Sequence, residues 1–137
     1  MKKLHLNFIG ISILLLTLFS CKSILQERLE NGVWNVQIIR YNSTNIYNKL
    51  RTNMFVFNKD GTASFDDLQV RDLKTEKWFL NKDTLIIEGN SVPYSGKYIT
   101  ELQIDPETNV MTLYLKSDST EIKMTSNPNP LDKLLKH

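Results

Sequence analysis

The stretch Phe55-Val56-Phe57-Asn58-Lys59-Asp60-Gly61-Thr62-Ala63-Ser64-Phe65 sets two alternating apolar runs on either side of a polar turn. Successive side chains of a strand point to opposite faces, so Phe55 and Phe57 share one face and Ala63 and Phe65 share another. Between them Lys59-Asp60-Gly61 supplies turn chemistry. Glycine adopts the positive φ that such a turn needs, and aspartate tolerates the neighbouring conformation. The segment therefore predicts a β-hairpin with one apolar face.

The same pattern repeats on both sides of it. Upstream, Trp34, Val36 and Ile38 alternate with Asn35 and Gln37 in a first strand, and the polar stretch Tyr41–Asn53 separates it from the hairpin. Downstream, Glu76–Leu80 and Thr84–Glu88 form a second hairpin around Asn81-Lys82-Asp83. Trp78 and Leu80 lie on one face of it, Leu85 and Ile87 on another. Gly89-Asn90 and Pro93 interrupt, because proline donates no ladder hydrogen bond. Lys97–Ile104, closed by Pro106, is a sixth strand. Met111, Leu113 and Leu115 alternate in a seventh, and Ile122 and Met124 in an eighth.

Eight short strands joined mostly by tight turns make an all-β meander. An open sheet of that length would leave two bare edges, and closure into an eight-stranded up-and-down antiparallel barrel removes them. Two packed sheets forming a sandwich are the alternative. A barrel of eight strands can be filled by its own side chains or hold one small ligand.

The single cysteine, Cys21, follows an apolar run, Phe8–Phe19 (FIGISILLLTLF), which is itself preceded by Lys2 and Lys3. A membrane-spanning helix needs about 20 apolar residues, and this run is shorter, as in a secretory signal. Leu18-Phe19-Ser20-Cys21 resembles the lipobox of bacterial lipoproteins. That resemblance implies diacylglycerol on the Cys21 thiol, cleavage before it, and acylation of the new amine. Several acyl chains then hold the protein at a membrane, since one alone anchors only marginally. The expected organisation is a signal peptide over 1–20, a lipidated tether over 21–31, a barrel domain over 32–126 and a tail over 127–137. Within the tether, Leu25 and Leu29 stand at helical spacing, so Ser23–Glu30 reads either as two helical turns or as a solvated linker. In the tail, Asn127–Pro130 reads as an extended connector. Leu131, Leu134 and Leu135 beyond it predict a short C-terminal helix.

The chain carries 17 Lys and Arg against 15 Asp and Glu. Lys2 and Lys3 leave with the signal segment, so 15 bases would face 15 acids. A neutral chain offers no electrostatic basis for nucleic acid, whose binding rests on neutralising phosphates. The two histidines are His5 and His137, which leaves no Ser-His-Asp or Cys-His arrangement and no His-based zinc site inside the domain. Asp66 and Asp67 are adjacent, point to opposite faces if they lie in a strand, and read as surface acids flanking a turn. Aligning Gly61 with the glycine of a calcium-binding EF-hand loop puts Val56 where the first carboxylate belongs, so the turn reading holds there. The expectation is a protein with no enzymatic activity, no cofactor and no metal.

Several of these strings together resemble a known family. Gly32-Val33-Trp34 is similar to the glycine-x-tryptophan opening of lipocalins. The ordered set Phe55–Thr62, Trp78–Ile87 and Met111–Leu115 resembles a bacterial group of lipocalin-like lipoproteins, across nearly the whole domain. The resemblance implies a barrel with Trp34 plugging one end and a small apolar or amphipathic ligand inside, on a protein lipid-anchored in the outer membrane of a Gram-negative envelope. Its interior set is Trp34, Phe55, Phe57, Trp78, Leu80, Leu113 and Leu115, with the open mouth near Tyr41–Asn53. The alternative is an accessory lipoprotein whose filled barrel binds another envelope protein.

Overall fold

The computed structural model describes residues 23–66 and 73–126. Cys21, the signal segment, Asp67 and the tail from 127 lie outside the described residues. A helix α1 (Ile24–Glu30) precedes strands β1 (Val33–Tyr41), β2 (Thr44–Asn45), β3 (Met54–Phe57), β4 (Thr62–Asp66) and β5 (Leu73–Asn81). After these come β6 (Thr84–Glu88), β7 (Gly96–Ile104), β8 (Met111–Lys116) and β9 (Thr120–Ser126). Every neighbouring pair is antiparallel and β1 pairs with β9, so eight strands close into a barrel. β2 is a two-residue spur on the end of β1. The all-β, eight-stranded antiparallel barrel expected from the alternation is the architecture observed.

The turn at Asp60-Gly61 forms as the residue types require. Gly61 takes φ +82°, and the Asp60 carboxylate accepts from the backbone N–H and the hydroxyl of Thr62, at 2.9 and 2.6 Å. These hydrogen bonds hold the Asp60 carboxyl below its usual range. The two residues between Asn81 and Thr84 close β5 onto β6, with Lys82 at φ +58°.

One register expectation is corrected. Val36 pairs with Met124, yet Ile38 pairs with Lys123, so two steps along β1 match one along β9. The extra residue, Gln37, makes a β-bulge, and its amide donates to Thr125 Oγ1 at 3.2 Å. A bulge inverts the alternation beyond it. Ile39, paired with Ile122, is therefore buried in place of Ile38.

Ser23–Glu30 is helical and belongs to the packed body. Ser23 caps α1 by accepting the Gln26 N–H at 3.1 Å. Leu29 is fully buried and Leu25 packs against the core. Among the described residues no helix is long and apolar enough to cross a membrane.

Candidate functional site

The interior is the first place to look. Of the seven interior residues expected, Trp34, Phe55, Phe57, Trp78, Leu113 and Leu115 are buried, and Leu80 is partly buried against the same cluster. The strands bring them together as alternation implies. Phe55 lies 4.8 Å from Phe57 and 5.1 Å from Phe65, ring centre to ring centre, and Phe57 lies 5.0 Å from Trp78. These are the separations of aromatic pairs in contact.

Each end of the barrel is occupied by a different device. At the α1 end the Trp34 indole donates to the Leu29 carbonyl at 3.2 Å, tying the first strand to the helix in front of it. Gly32 makes room for this fold-back: a Cβ there would stand 2.7 Å from Ser126 Oγ and 3.1 Å from Trp34 Nε1. Trp78 completes this end, its indole donating to the Asn58 carbonyl at 3.2 Å and its backbone N–H to Gly61 at 2.8 Å.

At the opposite end the connection from β6 to β7 turns inward. Val92-Pro93 is a cis peptide, and Tyr94 is buried with its ring 4.5 Å from Phe65 and 5.5 Å from Phe55. The Tyr98 hydroxyl donates toward the carbonyls of Tyr94 and Pro93, at 2.6 and 3.1 Å, and Thr120 Oγ1 donates to Pro93 at 3.1 Å. Burial raises the Tyr98 pKa well above the ordinary phenol value, so this hydroxyl stays protonated. Ser91 Oγ donates to Glu76 Oε1 at 2.6 Å, and Lys74 Nζ stands 3.4 Å from that same oxygen. These contacts fasten the connection to β5.

The segment between β1 and β3 is folded onto the body at this same end. Ile46 is buried with its N–H bonded to the Ile39 carbonyl at 3.0 Å, and Tyr47 and Leu50 pack on the core. Asp66, expected on the surface, is buried: its carboxylate accepts from the backbone N–H groups of Arg51 and Thr52. The correction has a plain cause, because buried backbone donors need acceptors and the last residue of β4 is placed to provide one. The stretch expected to frame an open mouth therefore covers this end.

The second place to look is outside. A groove of about 400 Å³ crosses the outer face of β7, β8, β9 and β1. Ile99, Tyr114, Ile38 and Lys123 line it, with Arg40, Glu101, Lys116 and Glu121 at its margins. Ile99 is 68% exposed, and Lys123 Nζ lies 5.6 Å from the centre of the Tyr114 ring. The ion pairs Arg40–Glu121 at 3.3 Å and Lys116–Glu121 at 3.6 Å hold the charged margin. A more polar hollow of about 420 Å³ adjoins it, sharing Ile99 and Lys116.

No known protein family, curated protein or solved structure matches this chain. Any functional reading rests on the geometry above and on the sequence.

Sequence reasoning passed over Tyr94 and the groove. Tyr94 sits in a proline-broken connection, where no periodicity assigns a face. Ile99 carried a signal: within β7 it falls on the outward phase, opposite Tyr98, and an isoleucine there is out of pattern. Ile38 lost its apparent inward position to the bulge at Gln37.

Proposed function

We propose that this chain is a lipid-anchored, lipocalin-like barrel of the bacterial envelope that works as a non-catalytic interaction domain through its outer surface. One observation carries the choice over ligand storage: the rings of Phe55, Phe57, Phe65, Tyr94 and Trp78 touch one another through the middle of the barrel. Ligand pockets are clefts of about 300–1,000 Å³. A groove of this size lies on the outer wall, where Ile99 and Tyr114 offer an apolar strip beside charged side chains.

The anchor in this reading is Cys21, acylated after removal of residues 1–20. The Gly32-x-Trp34 opening supports the lipocalin likeness, since here the glycine makes room for a tryptophan that stoppers one end of the barrel. The partner is another envelope protein.

Three measurements test this. Titration with fatty-acid or isoprenoid probes is expected to leave Trp34 and Trp78 fluorescence unchanged, and saturable quenching would restore the ligand-binding reading. A photo-crosslinker at Ile99 is expected to give a discrete cross-linked species in native membranes, which the same group at Lys59 does not give. Phase partitioning of Cys21→Ala is expected to move the chain out of the detergent phase.

A further inference from the structure

We infer that the barrel is seated directly on the bilayer by its α1 end, with α1 at headgroup level and Ile24 against the acyl-chain boundary. The inference rests on the Cys21 anchor proposed above. It concerns what that anchor does to the orientation of the domain.

Lengths carry the argument. Cys21 precedes Ser23 by two residues, and an extended chain covers at most about 3.6 Å per residue, so its backbone lies within about 7 Å of Ser23. Ser23 is already the cap of α1. A seven-residue helix adds only about 10 Å. At its far end Leu29 is fully buried and its carbonyl takes the Trp34 indole N–H. No slack remains between the acylated residue and the barrel. Nine-residue strands such as β1 and β7 each span about 30 Å, so the opposite end of the barrel lies beyond the reach of the anchor.

The surface presented at the α1 end suits a lipid headgroup layer. Ile24 is 75% exposed. Arg28 stands four residues on, which puts both on one helical face and sets a cation beside the apolar side chain. Val33, the first residue of β1, and Ile104, the last of β7, are exposed at this same end. Ile24 can then bury against acyl chains while the longer Arg28 side chain keeps its charge at phosphate level, as cationic side chains do at a membrane interface. Exposed Leu73, the first residue of β5 and the partner of Asp66, belongs to the opposite end, where the anchor cannot bring it to the same bilayer.

The functional consequence is directional. The connections that carry Tyr94 and Ile46 face away from the membrane. The Ile99–Tyr114 groove stands on the side wall, open to a partner anchored in the same leaflet or approaching from the aqueous side.

The test uses the full-length, host-processed protein reconstituted in phosphatidylcholine vesicles. Ile24→Cys and, at the far end, Asp118→Cys are each labelled with a bimane fluorophore, and quenching by doxyl-labelled lipid is read. Severalfold stronger quenching at position 24 than at 118 is expected. Inserting about ten Gly and Ser residues between Lys22 and Ser23 frees the domain and should reduce that difference. Anchored protein with equal, weak quenching at both positions overturns the seating and leaves the anchor reading intact. Protein recovered from the aqueous phase overturns both. Ile24→Asp with Arg28→Glu, both exposed and so compatible with folding, should weaken the quenching of a label at Val33→Cys in anchored protein. Unchanged quenching there also counts against the seat.

Discussion

The two ends of the barrel are closed in opposite ways. At the α1 end the main stopper, Trp34, is local in sequence: α1, Gly32 and Trp34 lie within eleven residues of each other, one indole hydrogen bond joins helix to strand, and Trp78 packs in beside them from β5. At the far end the stopper is assembled from distant segments. Tyr94 meets Phe55 and Phe65, Asp66 meets Arg51 and Thr52, and Thr120 meets Pro93. One closure is made by a side chain large enough to fill the space. The other is made by loops that bring backbone polar groups inside and must therefore satisfy them. Damage at the α1 end should act through lost packing, and damage at the far end through orphaned hydrogen bonds.

The largest expected effect is at the α1 end. Trp34→Ala removes a fully buried indole together with its bond to Leu29, and should cost about 3–5 kcal/mol, the usual range for truncating a buried aromatic. Urea melts followed by Trp78 fluorescence measure it. A loss below about 1 kcal/mol would mean that the helix, not the indole, closes this end.

At the far end the strongest single group is Asp66. Asp66→Ala leaves the N–H groups of Arg51 and Thr52 without their acceptor. A hydrogen bond to a charged group is worth about 1.5–3 kcal/mol, and a loss of that size is expected. Hydrogen exchange should show the opening confined to residues 46–54, with the α1 end unaffected. Exchange that rises equally at both ends would make the barrel one cooperative unit and erase the contrast.

How far each end could be read in advance follows from the same difference. Alternation places Phe55, Phe57, Trp78, Leu113 and Leu115 inside because burial on one face of a strand leaves a period of two in the sequence. Gly32-x-Trp34 is legible for a related reason: both partners of the close approach stand in one short string. Nothing periodic marks Tyr94, Ile46 or Asp66. The burial of Tyr94 and Asp66 is decided by partners in other segments, Phe65 for the first and Arg51 and Thr52 for the second, and that of Ile46 by the folding back of its irregular loop onto Ile39. The bulge at Gln37 is hidden likewise, since it is a mismatch between β1 and β9 and neither strand shows it alone. The outer groove is the least legible part, because the outward phase of Ile99 marks an exposed apolar side chain without marking the neighbours from β1, β8 and β9 that complete the groove.

The third test asks whether the tight fit at Gly32 is as costly as its geometry implies. In Gly32→Ala the new methyl would meet Ser126 Oγ at 2.7 Å and the Trp34 indole at 3.1 Å, and one of them must shift. Overpacking of this kind costs about 1–3 kcal/mol. Ser126 Oγ is buried and has no hydrogen-bond partner among the described residues. Removing it should therefore be cheap, and Gly32→Ala with Ser126→Ala should recover part of the loss. Strict additivity in that double-mutant cycle would show that Trp34, not Ser126, sets the limit.

The smallest effect belongs to Tyr98, and its sign with pH makes it the most specific probe of the far end. Tyr98→Phe takes one donor from the carbonyls of Tyr94 and Pro93, while Thr120 still donates to Pro93. The loss at neutral pH should be about 0.5–1.5 kcal/mol, the net worth of an ordinary hydrogen bond. In the unfolded chain the phenol ionises near pH 10.0, whereas burial raises its pKa in the folded protein. Between those two values the unfolded state releases a proton that the folded state keeps. The stabilisation is therefore complete below pH 10 and declines as pH rises toward the folded value. The quantity to measure is the difference between the parent and Tyr98→Phe across about pH 8 to 11, in which contributions common to both chains cancel. The gap between the two melting curves should shrink above pH 10, because the variant has no phenol at this position to ionise. A gap that stays constant would mean that the Tyr98 hydroxyl exchanges freely with water, and the far end would then be an open gate.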